Sequence, residues 1–577
     1  MVRLFYVPEI SEDFKRKLRE YFSMRQQTLL LALFVGLLAG FFGFAFKISI
    51  NLLAAGINSF ALHPANWWEW TYYPLIGFVG GSIAGYCVQL VPEASGSGIP
   101  EVRLALFRAG QEVKRRNIFA KFIGGVAGIG TGLSMGREGP TVQIGASCGT
   151  FVSKLFGITG KRQKAFLAAG AGAGLAAAFN TPIAGVLFVV EELSHNFSAK
   201  FLAPCIVASV TASAVIRHMS GNKLSYEVNI VPFEFTVAHV PIYIILGLLA
   251  GLLGTVFIKS ILSSLDYFAR LDKVPKWIQV GIAGFLTGIT ALFLPEVIGD
   301  GHEPIEMLLN GKVLLVMIPL WFFGKLLLTS LAYGSGAPGG LFAPALMCGA
   351  SMGLLLGKLI QMYFPALGIN PEVVALVGMG AFFTAVVRTP IAAAVIMFEM
   401  TGNYHTILPL MLSCIIADLV SARMFPRAIY PALLFRSTGI DLDEEAIGSP
   451  LEQFKVRDVM TSQVESLSKT TTLAEAFETL ERSHHNGFPV ISDEGNLIGI
   501  ITLADLENAF LRKIPLETKI SEIMSKHIIT VTPDNKLDYA LHKLHDNKIG
   551  RLIVVDPANN KKLAGILTRS DILKAEI

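Results

Sequence analysis

The chain has 577 residues, 52% hydrophobic and 16% charged, with a formal net charge of +4. Ordinary soluble domains carry about 25% charged residues. Here 34 of the 92 charged residues follow residue 451, so an apolar portion of roughly 450 residues precedes an ordinary soluble one. These figures exclude a soluble enzyme of several domains, a fibrous protein and a disordered chain, and the net charge is too small to argue for a nucleic-acid partner.

Met1–Arg25 carries Arg3, Lys15, Arg16, Lys17, Arg19 and Arg25 and leads straight into an apolar run without a signal peptide. By the positive-inside tendency this end is cytosolic, and the basic cluster Lys114-Arg115-Arg116 reads as another cytosolic loop. The uncharged stretches Gln26–Phe46, Trp70–Pro92 and Phe235–Ile258 each reach the ~20 residues a helix needs to span hydrocarbon. Two longer runs, Ala165–Val190 and Leu326–Gly357, are broken at Asn180-Thr181-Pro182 and across Gly334–Gly340. Phe122–Gly136, Gly139–Ser153, Val373–Val387 and Thr389–Phe398 are too short to span. Short apolar helices broken by Gly and Pro predict half-helices that end inside the bilayer, where irregular backbone must be buried in protein or line a wet cavity.

The apolar portion is duplicated. Gly170-Ala171-Gly172-Ala173, Thr181-Pro182-Ile183-Ala184 and Glu191 recur 208 residues later as Gly378-Met379-Gly380-Ala381, Thr389-Pro390-Ile391-Ala392 and Glu399. Upstream, Gly136, Pro140, Gly145 and Ala146 recur with the same spacing as Gly340, Pro344, Gly349 and Ala350. Five cysteines, with no C-x-x-C pair, read as small buried hydrophobes and imply neither a disulfide framework nor a metal site.

Three segments look like helix starts suited to an anion: Gly96-Ser97-Gly98-Ile99-Pro100, Gly136-Arg137-Glu138-Gly139-Pro140 and Gly340-Leu341-Phe342-Ala343-Pro344. Gly permits the turn, Pro tolerates the first helical turn, and the free N–H groups with the helix dipole hold a small anion. Binding without a full cation is weak enough to release, as conduction requires. Any one such segment is also explained as a Gly/Pro break that lets helices pack closely; three of them within a repeat argue for a site. Glu138 lies between two short apolar runs, where an ionisable group is costly and usually functional. A carboxylate at an anion-binding helix start can occupy the site and leave it on protonation. Glu191-Glu192 ends another apolar run, and adjacent side chains lie about 100° apart on a helix, so at most one faces a given pathway.

These segments resemble the three signature motifs of the CLC family of chloride channels and proton-coupled chloride transporters, and Tyr430 in Arg427–Pro431 is similar to that family's pore tyrosine. The similarity runs through nearly all of residues 26–437. It implies a polytopic α-helical membrane fold, a homodimer in the bilayer with one anion pathway per subunit, and no required cofactor, chloride and protons being the transported ions. It implies that Ser97 and Tyr430 offer hydroxyls to chloride and that N–H groups around Gly98, Ile99, Leu341 and Phe342 line the site. It implies that Glu138 gates and that Glu192 is the inner proton-transfer acid, which favours a proton–chloride exchanger over a passive channel of the same fold. Arg103 stands where some exchangers carry an acid.

The soluble portion is also duplicated. Val456–Met460 recurs as Ile520–Met524, and Gly499–Asp505 recurs as Gly565–Asp571, with short strands and amphipathic helices between. This small α/β pair resembles tandem CBS domains. That likeness implies an adenine nucleotide, ATP, ADP or AMP, held by Thr502, Asp505, Thr568 and Asp571, with Asp accepting from ribose hydroxyls and Thr donating to phosphate; a ligand-free dimerisation module is the alternative. The domain reading is a cytosolic N-terminal segment (1–25), a membrane domain (26–437), a linker (438–451) and two soluble units (452–513 and 514–577). The whole is expected to be a multi-pass protein of the cell membrane with both termini cytosolic. No enzyme motif appears, and the sparse membrane acids do not suit a divalent-cation channel.

Overall fold

A computed structural model describes residues 20–60, 69–107, 113, 115–194, 199–222, 224–228, 235–440, 454–483, 487–547 and 549–575. Most of the N-terminal segment, Lys114 of the basic loop and most of the 438–451 linker lie outside the described residues. The chain divides after Ile440 into two units.

The first unit is helical. Among the described residues, seven helices are long and apolar enough to cross a membrane. Met24–Phe60 extends beyond the expected Phe46 because Lys47 is carried within the helix, half-buried, rather than ending it. Glu69–Leu90 falls where expected, while Val240–Ala269 runs past the expected Ile258 and carries Lys259 within the helix. The spans that the uncharged-run criterion did not pick out are Ala199–Ser220, interrupted by Lys200 and Arg217, and Ile407–Met424, interrupted by Asp418.

Both expected breaks are present. The first run divides into Gly160–Phe179, Pro182–Phe188 and a π-helical turn, Val189–Ser194. The second divides into Met317–Gly334 and Phe342–Tyr363. The duplication is visible in the backbone. Asn180 ends its helix in the left-handed conformation (φ 58°), and Arg388, its counterpart, does the same (φ 64°) after Pro371–Val387. Non-glycine residues rarely adopt this conformation, and both precede a Thr-Pro that restarts a helix. In each copy paired helices touch through glycine. A Cβ on Gly145 would stand 2.2 Å from the Gly170 carbonyl oxygen, and one on Gly349 would stand 2.5 Å from that of Gly378. Small residues thus bring backbones together without a driving force from water.

The copies also exchange caps. The Glu191 carboxylate accepts from the N–H groups of Ile391 (3.2 Å) and Ala392 (2.7 Å) at the start of Pro390–Thr401. Glu399 accepts from Ile183 (3.1 Å) and Ala184 (2.7 Å) at the start of Pro182–Phe188. Each acid lies where the opposite helix has unsatisfied donors and a positive dipole end. A contact and its reciprocal between equivalent residues is the mark of a two-fold relation between the halves. Four cysteines are buried and Cys87 is half-buried; all five are free thiols.

The second unit holds two three-stranded sheets of the same topology. In the first, Leu467–Ser468 runs parallel to Gly487–Ile491, which pairs antiparallel with Leu497–Thr502. In the second, Thr530–Val531, Arg551–Asp556 and Asn559–Thr568 repeat the arrangement. The lead-in segments are exchanged between the two. Val456 is buried in the core of the second sheet with Val531 and Leu552, and Thr461 bridges Ile566. Ile520 is buried in the core of the first with Leu467 and Val490, and Ser525 bridges Ile500. Residues 456–461 therefore belong by packing to the second sheet rather than to the unit they precede.

Glu399→Ala removes the acceptor of two backbone N–H groups inside the membrane unit. Loss of a helix cap costs about 1–2 kcal/mol, so a lower midpoint of thermal unfolding in detergent is expected, with Glu191→Ala lowering it similarly. Unchanged midpoints in both would leave the exchanged caps without energetic weight.

Candidate functional site

Three helix starts face one another through their preceding loops. Gly136 N–H donates to the Gly340 carbonyl (2.8 Å), and Gly340 N–H donates back to that of Gly136 (2.6 Å). Gly96 N–H donates to the Ala337 carbonyl (3.1 Å), and Gly339 N–H donates to that of Gly96 (3.0 Å). The loops bond one another, and the helices Ile99–Phe107, Glu138–Leu155 and Phe342–Tyr363 begin directly after them. Gly96 (φ 58°) and Gly98 (φ 82°) supply the left-handed turns around Ser97. Two lysines within the apolar portion pin this region. The Lys121 ammonium donates to the carbonyls of Ser95 (3.2 Å) and Gly96 (2.7 Å), and that of Lys325 to those of Val297 (3.2 Å) and Gly299 (2.8 Å).

Ser97 is buried, and its hydroxyl accepts the Ile99 N–H (3.3 Å) at the first turn of its helix. The Ser97 N–H donates to the hydroxyl oxygen of Tyr333 (3.4 Å), a residue the sequence did not single out. Tyr430 lies at the start of Ile429–Thr438, a helix that packs on Ile99–Phe107. Its side chain is fully buried and its hydroxyl has no hydrogen-bond partner among the described residues. A buried hydroxyl left unpaired needs a ligand or a water. The Phe342 ring packs against Phe179, Phe188 and Phe383, with centroids 5.5, 5.6 and 4.1 Å apart, so Phe342 and its neighbour Leu341 are buried.

Glu138 is buried, and its Oε2 and the Ala343 nitrogen, at the start of the Phe342–Tyr363 helix, both border the space that a Cβ on Gly136 would occupy; Oε2 has no hydrogen-bond partner among the described residues. The side chain therefore lies beside the kind of helix end that favours an anion. Its neighbour Arg137 turns away to pair with Asp300 (3.1 Å), and the other Asp300 oxygen accepts the His302 N–H (3.2 Å). Asp300 lies in a loop between short helices, and nothing in its sequence surroundings announces that contact.

The adjacent acids separate. Glu191 is a cap, as described. Glu192 is buried on the π turn, and its carboxylate meets the buried Arg103 guanidinium at 3.0 Å. π-Helical turns recur at functional sites because they redirect side chains. The structure thus brings Ser97, Gly98, Ile99, Glu138, Leu341, Phe342 and Tyr430 to the meeting point of the broken helices. Glu192 stands on a turn that packs against Ile99–Phe107.

In the second unit, Thr502 and Asp505 form a capping box at the start of Leu503–Leu511, with the Thr502 hydroxyl 2.6 Å from Asp505 Oδ2. Thr568 and Asp571 repeat it at 2.7 Å. Both threonine hydroxyls bond their own aspartates rather than standing open as phosphate donors.

Residues 80–422 match the voltage gated chloride channel family, and residues 456–512 and 520–577 each match the CBS domain. The H(+)/Cl(-) exchange transporter ClcA of Vibrio cholerae is 34% identical over 424 residues, which are 71% of this chain and 89% of that relative. The ClcA of Yersinia pestis is 33% identical over 71% of this chain and 87% of its own. The structure of a slow cyanobacterial Cl-/H+ antiporter is 32% identical, with a TM-score of 0.68 over 72% of this chain and 98% of the other. A eukaryotic CLC transporter, 23% identical with a TM-score of 0.64 over 94% of this chain and 97% of its own, shares the fold. A helix-broken, duplicated membrane unit with these motifs, followed by two such α/β units, identifies the chain as a member of the CLC family with a tandem pair of CBS domains.

Proposed function

We propose that this protein is a transporter, not an enzyme, and that it exchanges chloride for protons across the cell membrane. The observation that carries the proposal is the Glu138 carboxylate lying at the start of the Phe342–Tyr363 helix. Chloride binds where helix N-termini converge, its charge met by N–H groups around Gly98, Ile99, Leu341 and Phe342 and by the hydroxyls of Ser97 and Tyr430. The Glu138 carboxylate competes with chloride for this position. On taking a proton it loses the charge that holds it there, and the anion enters. Anion occupancy and proton binding are thereby alternatives at one site, which is what exchange requires. Glu192 is the second acid, passing protons between water on the inner side and Glu138. Two copies assemble as a homodimer in the bilayer, each with its own pathway, with both termini cytosolic. The relatives named as H(+)/Cl(-) exchange transporters support this reading.

The CBS pair binds an adenine nucleotide and biases transport. Support comes from the two CBS matches and from the exchanged lead-in segments, which pack each unit's start into the core of the other sheet. A nucleotide shifts transport only if it binds two conformations differently.

Glu138→Gln is expected to keep chloride flux and lose proton coupling in proteoliposomes, because a neutral amide neither competes as an anion nor carries a proton. Unchanged coupling would remove Glu138 from the gate. A reversal potential indifferent to a proton gradient in the unmutated protein would make it a passive channel instead.

Glu192→Gln is expected to stop proton movement while chloride flux continues, and Glu191→Gln to leave proton movement intact. The opposite outcome would transfer the role to the neighbour.

Ser97→Pro should shift anion preference from chloride towards nitrate, and Tyr430→Ala should weaken chloride occupancy. Each removes a polar contact worth on the order of 1–2 kcal/mol. Competition between the two anions that is unaltered in both variants would take these side chains out of the site.

ATP, ADP or AMP should give a heat of binding to the full-length protein and alter its flux in vesicles, with a coupling of about 1–3 kcal/mol. No heat from any of them, and equal flux with and without each, would leave the CBS pair a dimer clamp.

A further inference from the structure

Arg103 is one of the largest fully buried side chains in the molecule, and it carries a charge. It projects from Ile99–Phe107, the nine-residue helix whose first turn is capped by Ser97. Its guanidinium meets the Glu192 carboxylate at 3.0 Å, with side-chain exposures of 1% and 4%. One short helix therefore presents its N-terminus to the anion site and a cation to the acid on the neighbouring π turn. A cavity of about 1030 Å³ is lined by residues that follow the pair in sequence, Leu106 and Phe107, one turn beyond Arg103, and Ser194, two residues beyond Glu192, though not by Arg103 or Glu192 themselves. Arg25, Lys161 and Lys164 also line it.

Burying two charges is expensive, and the attraction between them repays that cost only in good geometry. Such a pair is weak evidence for stability, so its presence beside a pathway calls for another explanation. A guanidinium keeps its charge throughout the physiological range and offers a rigid planar fork. It therefore fixes where a carboxylate points more firmly than an ammonium does. A carboxylate that relays protons has to release each one as readily as it accepts it. A neighbouring fixed cation favours release. Without that cation, a carboxylate buried in protein retains the proton it takes up, because its charged form is poorly solvated.

We propose that Arg103 is the positioning residue for proton transfer: it holds the Glu192 carboxylate in the orientation from which a proton is taken from the inner side and released towards Glu138. Arg103 itself neither binds chloride nor carries the proton. It sets the number of protons moved per chloride by keeping Glu192 oriented and ready to discharge. This inference rests on the reading of Glu192 as the inner proton acid.

The test measures chloride flux and proton flux together in vesicles containing the full-length protein, for Arg103→Gln, Arg103→Lys and Glu192→Gln. Arg103→Gln is expected to lower the proton-to-chloride ratio at least fivefold with chloride flux within twofold of the unmutated protein. Arg103→Lys, which keeps the charge, should recover most of that ratio. Arg103→Gln combined with Glu192→Gln should be no worse than Glu192→Gln alone. A ratio unchanged in Arg103→Gln overturns the proposal. Loss of both fluxes together in that variant overturns it too, by marking the residue as structural. If Glu192→Gln itself moves protons normally, the reading of Glu192 fails first; if it stops protons while Arg103→Gln does not, only the role of Arg103 falls.

Discussion

A broken helix in hydrocarbon exposes backbone groups that no water is present to satisfy, and everything at the centre of this molecule follows from how that debt is met. The loops before the three short helix starts bond to each other, Gly136 with Gly340 and Gly96 with Ala337 and Gly339. Two buried ammonium groups take up further carbonyls. Because the loops are mutually satisfied, the helix starts beside them are held in place by the fold. Glycine at these positions permits the approach: a Cβ on Gly340 would stand 3.0 Å from the Gly139 nitrogen.

Preorganisation of that kind suits a transported anion. Backbone N–H groups attract it without a counter-charge that would trap it. The full charges nearby are engaged elsewhere, Arg137 with Asp300, Lys121 and Lys325 with carbonyls, Arg103 with Glu192. The side chain beside the helix start is instead the Glu138 carboxylate, an acid among paired cations. Partnering the cations and leaving an acid at the site is a consistent electrostatic pattern across residues far apart in sequence.

Much of this was legible in the chain because its signals are local. Gly and Pro mark breaks wherever they stand, so the interruptions at Asn180-Thr181-Pro182 and across Gly334–Gly340 were placed correctly, and so was the 208-residue repeat. Charge was a poorer guide. The uncharged runs Phe122–Gly136 and Leu326–Gly357 begin directly after Lys121 and Lys325, yet both lysines are buried against carbonyls. Lys47, which closes the uncharged run Gln26–Phe46, lies within a continuous helix. The pairings Arg103–Glu192 and Arg137–Asp300 span 89 and 163 positions, and nothing in a sequence announces which distant charge will answer another. Helix geometry says only that one of Glu191 and Glu192 must face elsewhere; the family resemblance singles out Glu192, and neither signals that Glu191 caps a helix of the other half. The exchange of lead-in segments between the two sheets was hidden because Val456 and Ile520 look alike in their own repeats.

The exchanged carboxylate caps give the duplicated halves unequal histories during synthesis. Ile183 finds its acceptor on Glu399, 216 positions later, while Ile391 finds Glu191 already made. At roughly 5–20 residues per second, the earlier short helix waits about 10–40 s for the residue that caps it, and the later one does not wait at all. Two halves that are equivalent in the finished protein are thus ordered in time, with the first copy held open until the second supplies its missing acceptor.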